Sequence, residues 1–196
     1  MGTQKKTLKE ARKKIIEAAL DLFSQKGFYA TTTRKIAQQA DVSEVTLFRH
    51  FKSKTALFQE VLKEIKNLGF DADTVEGVDL SPEDAIRFSV QAALETIEAH
   101  PTELRLLNLA LLDGVEGFEE EFVDKNTKQA VKFISEAFKK LQHKGSVSSE
   151  ESPELLAELL LSVVSDVATQ RVIRKNSTLK HYDRDVLAKA IINLFI

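Results

Sequence analysis

DVSEVTLFRHFKSK, residues 41–54, is the stretch that decides the fold of this chain. Ser43 is a residue type that caps helices, and the last seven residues of the stretch contain two phenylalanines, one histidine and three cationic side chains. Leu47, His50 and Phe51 are spaced i, i+3 and i+4, so a helix would place them on one face, which we predict to point inward. The predicted outer face, with Thr46 on its border, consists of Glu44, Val45, Phe48, Arg49 and Lys52.

Two further helices are predicted before this stretch. Between residues 7 and 26, apolar side chains recur with a helical period, and Gly27 is placed to end the helix. The apolar stripe consists of Ala11, Ile15, Ala18, Ala19, Leu22 and Phe23. Residues 31–40, TTTRKIAQQA, combine threonine caps with an inward face of Ile36, Ala37 and Ala40. Because a helix of about eight residues is not stable alone, the three helices must share a core.

The charge of the chain is distributed unevenly. Residues 1–67 carry 14 Lys and Arg against 7 Asp and Glu, a net charge of +7, whereas the remainder carries 14 against 23, a net charge of −9. A cationic module of this kind attracts polyanions, of which nucleic acid is the commonest. The alternative is a basic face that is merely solvated.

Two short helices joined by a tight turn, beside a basic surround, are typical of a helix-turn-helix, whose second helix enters the major groove of DNA. The run GFYATTTRKIAQQADVSEVTLFRHFKSKTALFQEVL, residues 27–62, adds the motifs G-[FY]-x-x-T-T, I-A, V-S-x-x-T-L-[YF]-x-H-F and K-S-K. In these motifs the chain resembles the N-terminal DNA-binding domain of the tetracycline-repressor (TetR) family of bacterial transcriptional regulators, over roughly residues 10–62.

The resemblance implies roles for particular residues. It implies that the Thr33 hydroxyl, His50 and Lys54 bind phosphates, and that Arg34 reaches a guanine edge or the backbone. It implies that the start of the recognition helix meets the bases, where a glutamate suits a cytosine amino group and a valine a thymine methyl. The full set of implied DNA-binding residues is Thr33, Arg34, Glu44, Val45, Thr46, Phe48, Arg49, His50 and Lys54.

Three positions depart from the common pattern of the family. Asp41 occupies a turn position that is usually glycine, and Val45 stands where glycine or proline is frequent. Phe48 replaces the usual tyrosine and has no hydroxyl to donate. If that tyrosine normally holds a phosphate, Phe48 retains only ring contacts with sugars and base methyls.

The rest of the chain also predicts helices, so the expected fold is all-α with about nine helices. Residues 69–80, GFDADTVEGVDL, read as a connection, and Ser-Pro-Glu at 81 and 152 are helix starts. Further helices are expected near residues 81–99, 102–113, 118–144, 153–174 and 180–195. The expected domains are a DNA-binding domain, residues 1–54, a connecting fourth helix at about 53–67, and an effector-binding and dimerisation domain, residues 55–196.

The last two predicted helices are apolar over more than one stripe, which implies a second buried face. As in the family that the chain resembles, we expect them to pair with their copies in a four-helix bundle about a two-fold axis. The alternative is a large monomeric core. The residues predicted at the dimer interface are Leu160, Val164, Val167, Leu187, Ile191 and Leu194.

The resemblance also implies a small-molecule pocket in the C-terminal domain, whose filling releases DNA. Residues 102–113 are apolar nearly all round, interrupted by Arg105 and Asn108 as candidate polar handles. A pocket of leucine and phenylalanine suits a small hydrophobic effector. The residues predicted to line it are Phe88, Arg105, Asn108 and Phe133, with Phe138 nearby. The alternative is ordinary core aromatics and a solvated or paired arginine.

Nothing in the sequence predicts an enzyme or a cofactor. The four histidines are scattered, and no metalloprotease, hydrolase, P-loop or dinucleotide motif is present. His181, Asp183 and Asp185 lie close together, but such a group at a helix start is more typical of a cap than of a metal site. The chain has no cysteine and no apolar run of membrane-spanning length, which favours a cytoplasmic protein. The functional alternative is an architectural or cell-division DNA-binding factor whose C-terminal domain recruits a protein.

Overall fold

The computed structural model describes residues 2–65, 80–118, 124–147, 150–174 and 176–196, and within these ranges the regular structure is entirely helical. The predicted all-α fold is confirmed. The α-helices are α1 (Gly2–Ala30), α2 (Thr33–Gln39), α3 (Glu44–His50), α4 (Lys54–Glu64), α5 (Pro82–Ala99), α6 (Pro101–Asp113), α7 (Asp124–His143), α8 (Pro153–Ile173) and α9 (Arg184–Ile192). The predicted connection at 69–80 lies, apart from its last residue, outside the described ranges, as does the region 119–123 before α7.

The helices divide into two compact units. The first comprises Met1–Lys66 and Thr102–Glu119, so it contains α1–α4 and nearly all of α6. The second comprises Asn67–Pro101 and Glu120–Ile196, with α5, α7, α8 and α9. By packing, α4 and α6 therefore lie in the same unit as the helix-turn-helix. The functional domains expected from the sequence, residues 1–54 and 55–196, stay a prediction.

The core of the first unit is formed by apolar residues that α1–α4 turn inward. Ile15, Ala19, Phe23, Ile36, Leu47 and Leu57 are fully buried. An aromatic cluster joins them: the ring of Phe58 meets Phe23 edge-on at 5.4 Å and Phe28 at 5.2 Å between centroids. Such edge-to-face pairs stabilise a core beyond the area that they bury.

Gly27 interrupts α1 as predicted, although the helix assignment continues to Ala30. Its φ of 80° and ψ of 172° are far from helical values and are essentially confined to glycine. The change of direction there brings Phe28 onto the aromatic cluster.

The second unit is a bundle whose core is shared by all of its α-helices. Ile86, Leu94, Phe138, Leu141 and Leu160 are completely buried within it. The two predicted Ser-Pro helix starts are confirmed, because Ser81 Oγ accepts from the backbone N–H of Asp84 and Ser152 Oγ from that of Leu155.

The last predicted helix, residues 180–195, is divided in the structure. A 3₁₀ helix covers Thr178–His181, and α9 begins only at Arg184. The reason is local: the Asp183 carboxylate accepts the backbone N–H of Asp185 at 2.8 Å, which caps a new helix start. Within the described ranges, no helix combines the length and the apolar character that crossing a membrane requires.

Candidate nucleic-acid interface

Both short helices of the helix-turn-helix are capped by hydroxyl side chains. Thr32 Oγ1 accepts from the backbone N–H of Lys35, and Ser43 Oγ from that of Thr46 at 3.1 Å. The Ser43 cap predicted from the sequence is thus confirmed. Ser43 Oγ also lies 3.0 Å from Thr46 Oγ1, so the Thr46 side chain is tied to the cap.

The turn between the two helices carries Asp41 with a φ of 55°. This is the left-handed region, which glycine enters freely and aspartate tolerates better than most residues. The departure from the usual glycine therefore keeps the turn, at the cost of some backbone strain.

The faces of α3 are those that its periodicity predicts. Leu47 and Phe51 are buried and His50 is half-buried. Val45 is 80% exposed, Phe48 46% exposed, and Arg49 is also exposed. An apolar, an aromatic and a cationic side chain therefore stand outward together on the recognition helix.

A hydrogen bond joins the first residue of α2 to the first residue of α3. Thr33 Oγ1 donates to Glu44 Oε1 at 2.8 Å, and both side chains are half-buried. A carboxylate can only accept, so the hydroxyl proton points to Glu44.

His50 presents one ring nitrogen to the interior. Its Nε2 atom is buried, and no described residue hydrogen-bonds to it. Burial lowers the pKa of His50 below its ordinary 6.5, and the nearby positive charges of Arg49 and Arg12 lower it further. The neutral imidazole is therefore the favoured form in the folded chain.

Lys54 lies at the junction of α4 with the end of α1. Its Nζ donates to the backbone carbonyls of Phe28 at 2.9 Å and Thr31 at 3.0 Å, and it sits 4.3 Å from the centroid of the Phe28 ring. Burial lowers the pKa of Lys54, while the charge of Asp113 acts in the opposite direction. Two of its three donors are thus used inside the protein, which leaves one for a phosphate.

Four further cationic side chains of the first unit differ in whether they are exposed or engaged in ion pairs. Arg34, Lys35 and Lys52 are exposed. Arg12, by contrast, pairs with Glu60 and lies 3.8 Å from Glu64, over the ring of Phe51 at 5.6 Å. Arg12 therefore has a structural role in joining α1 to α4.

Sequence reasoning missed one residue of this unit entirely. Asp113, at the end of α6, accepts a hydrogen bond from the backbone N–H of Phe28 across 85 residues of sequence. No local pattern marks it, because its partner is a backbone group reached only through tertiary packing.

The predicted pocket residues are distributed over both units. Arg105 is exposed in the first unit, and Asn108 donates its side-chain amide to the Leu104 carbonyl one turn earlier in α6 at 2.9 Å. In the second unit, Phe88 is partly exposed, Phe133 packs against the core and Phe138 is fully buried. Their role as a pocket stays a prediction.

Four of the six predicted dimer residues are buried within their own protomer, and a fifth packs against its core. Leu160, Val164, Leu187 and Ile191 are buried, and Val167 packs against the same core. Leu194 is 71% exposed. The exposed large aliphatic side chains of α8, of α9 and of the residues after α9 are Leu155, Leu159, Val186, Leu194 and Ile196. Among the described residues, no group of three or more His, Asp or Glu could hold a metal, and Asp183 serves as the cap described above.

Comparisons with known proteins agree with this geometry. Residues 15–61 match the family model described as bacterial regulatory proteins, tetR family. The HTH-type transcriptional regulator RutR of Escherichia coli K12 is 34% identical over 113 residues, which is 58% of this chain and 53% of RutR. The match thus spans only about half the length of that relative.

Two solved structures resemble the chain over most of its length. NalD, the secondary repressor of the MexAB-OprM multidrug efflux pump in Pseudomonas aeruginosa, has a TM-score of 0.72 at 17% identity and covers 95% of each chain. AibR in complex with isovaleryl coenzyme A and operator DNA also has a TM-score of 0.72, at 16% identity, covering 94% of this chain and 97% of AibR. These likenesses establish the fold. The helix-turn-helix of this chain lies within residues 15–61, the part of the chain that matches the family model of bacterial regulatory proteins, tetR family.

Proposed function

We propose that this chain is a sequence-specific DNA-binding transcriptional regulator that acts in the cytoplasm. As a homodimer it binds a near-palindromic operator and represses transcription until a small hydrophobic effector releases it. The observation that carries the proposal is the outer face of α3, where Val45, Phe48 and Arg49 stand exposed on a unit with an excess of positive charge.

The proposed DNA contacts are of two chemical kinds: contacts with phosphates position the protein, and contacts with base edges read the sequence. Cations such as Arg34 and the remaining donor of Lys54 suit phosphates, whose neutralisation supplies affinity without sequence preference. Glu44, Val45 and Thr46, at the start of α3, suit base edges in the major groove, since recognition helices read bases with their N-terminal residues.

The dimer follows from the apolar surface of the second unit. Leu155 and Leu159 are one helical turn apart on α8 and both exposed, and Val186 and Leu194 are exposed further along the chain. We propose that these residues, rather than the buried Leu160 and Ile191, meet the second copy. Two recognition helices related by a two-fold axis require two half-sites related by the same symmetry.

The effector is proposed from fold likeness and composition. AibR was crystallised with isovaleryl coenzyme A and operator DNA together, and its fold is that of this chain. The Phe88 and Phe133 side chains supply apolar surface in the second unit. An effector that binds the free form better than the DNA-bound form shifts the equilibrium by its differential affinity, typically about 1–3 kcal/mol.

Selection of bound sites from a random duplex library, at two salt concentrations, tests the proposal. We expect the wild-type protein to enrich a near-palindrome, and Arg34→Ala to weaken binding to it by about 1–3 kcal/mol. Lys139→Ala removes the same charge from an exposed position of α7 and is the matched control. Binding that enriches no sequence yet falls steeply with salt would overturn the proposal and favour an architectural protein.

A further inference from the structure

The hydrogen bond between Thr33 and Glu44 raises a question of chemistry that rests on the proposed function. The two residues begin α2 and α3, and the bond joins their side chains at 2.8 Å. A threonine hydroxyl has a single proton to donate. The same proton cannot serve both Glu44 and a DNA phosphate, so the phosphate role that the family resemblance implies for Thr33 competes with this bond.

The position of Glu44 restricts what it can read. It is half-buried at the first turn of α3, directly before Val45, which is 80% exposed. A carboxylate accepts hydrogen bonds and is repelled by phosphates and by the acceptor atoms of guanine and thymine. In the major groove the amino donors belong to cytosine and adenine, but the adenine donor lies beside the N7 acceptor. Cytosine is therefore the base that Glu44 suits.

The bond to Thr33 makes this reading selective. Glu44 belongs to residues 1–67, whose net charge is +7. A free carboxylate there could adopt several rotamers, and fixing one of them has an entropic cost. The Thr33 hydroxyl occupies Oε1 and fixes the side chain before DNA arrives. The lone pairs of Oε2 remain for a base amino group.

We propose that Thr33 is a positioning residue for base recognition: its hydroxyl holds the Glu44 carboxylate so that it selects cytosine at one position in each operator half-site. Thr33 is well suited to test because it does not cap its helix. That role belongs to Thr32, whose hydroxyl accepts from Lys35 N–H. Thr33→Val removes the hydroxyl and keeps the shape, whereas Thr33→Ser keeps the hydroxyl.

The experiment measures binding of the purified full chain to duplexes that carry each of the four bases at each position of the selected operator. The variants are Thr33→Val, Thr33→Ser, Glu44→Gln and the double variant Thr33→Val/Glu44→Gln. We expect the wild type to prefer cytosine at one half-site position by about tenfold, and Glu44→Gln to lose that preference. Thr33→Val lowers it to about threefold or less, Thr33→Ser retains it, and Thr33→Val adds nothing to Glu44→Gln. Thermal unfolding of each variant separates these effects from misfolding.

Three results would overturn the inference. Thr33→Val could weaken binding to all four bases equally and reduce the salt slope by about one, which identifies a phosphate contact. Thr33→Val could act equally in the wild-type and Glu44→Gln backgrounds, which shows that it does not act through Glu44. Glu44→Gln could leave every base preference unchanged. In each case the wild type still selects an operator, so the proposed function stands; if the wild type selects none, both fail together.

Discussion

The carboxylate of Asp113 accepts the backbone N–H of Phe28 at 2.8 Å, so the end of α6 closes the bend that Gly27 makes in α1. A β-carbon added at Gly27 would lie 2.6 Å from Asp113 Oδ2. Lys54 completes the arrangement from α4, donating to the Phe28 carbonyl. The bend, the carboxylate and the cation together fix the part of the first unit that leads into α2.

Removing the Asp113 acceptor is expected to destabilise the first unit. Asp113→Ala leaves the partly buried N–H of Phe28 without its partner, which costs about 1–2 kcal/mol in the free energy of unfolding. Asp113→Asn keeps a carbonyl oxygen at the same place and should lose less than half as much. Urea unfolding followed by circular dichroism measures both variants. Equal stability of wild type and Asp113→Ala would contradict the role given to this bond.

Gly27 is expected to resist substitution for two separate reasons. Gly27→Ala forces a side chain into a backbone conformation that costs about 1–3 kcal/mol, and it also displaces the Asp113 carboxylate. Gly117→Ala is the control, because Gly117 has a φ of 77° but no described residue lies within 4 Å of its added Cβ. The difference in unfolding free energy between the two variants reports the close approach of Asp113 together with the additional backbone strain at Gly27, whose ψ is 172°. If Gly117→Ala lowered the free energy of unfolding more than Gly27→Ala, the close approach of Asp113 to Gly27 would not contribute to the cost of the substitution.

The buried nitrogen of His50 predicts how stability depends on pH. Because the folded pKa lies below the ordinary 6.5, the unfolded chain binds more protons between these two values. The free energy of unfolding therefore falls as the pH decreases through about 6.5, and His50→Gln should show a smaller fall between about pH 7.5 and about pH 5.5. Glu60, whose pKa is lowered first by the hydrogen bond from Lys63, loses its contribution only at more acidic pH, below its ordinary 4.5.

Melting temperatures of wild type and His50→Gln across this range check the prediction. The remaining histidines, His100, His143 and His181, are present in both proteins, so the difference between the two curves isolates His50. Parallel curves for the two proteins would show that His50 has the same pKa in the folded and unfolded chains.

The exposed apolar residues of the second unit are expected to hold the dimer. Leu159→Glu places a charge on the proposed interface of α8, where burial without a partner is unfavourable, and should convert the dimer to a monomer at micromolar concentration. Leu112→Glu makes the same change at an exposed apolar residue of α6 and should leave the dimer intact. Sedimentation equilibrium distinguishes a mass near 22.0 kDa from twice that value. A monomeric wild type would favour the large monomeric core instead.

Short-range patterns were sufficient for the helix-turn-helix. The spacing of Leu47 and Phe51 predicts their burial, the exposure of Val45 and Phe48 follows from the same period, and Ser43 caps α3 within three residues of its partner. These features depend on the 3.6-residue period and on hydrogen bonds within one turn, so the amino-acid order alone determines them.

The apolar pattern of the last two helices was less informative. It correctly indicated extensive burial, but a period cannot tell which of two apolar faces meets the protomer's own core. Leu160 and Ile191 proved to face that core, whereas Leu159 and Leu194 lie outside it. The choice depends on how α5, α7, α8 and α9 pack against one another.

What the sequence determined by itself was the all-α fold, the capped recognition helix and its outward face, because each depends on neighbours within a turn or two of helix. Only the tertiary structure decided three hydrogen-bonded contacts. Thr33 donates to Glu44, Lys54 donates to two backbone carbonyls near the end of α1, and Asp113 accepts the N–H of Phe28. These partners are 11 to 85 residues apart, and polar groups at such separations find each other only after apolar burial has set the positions of the helices.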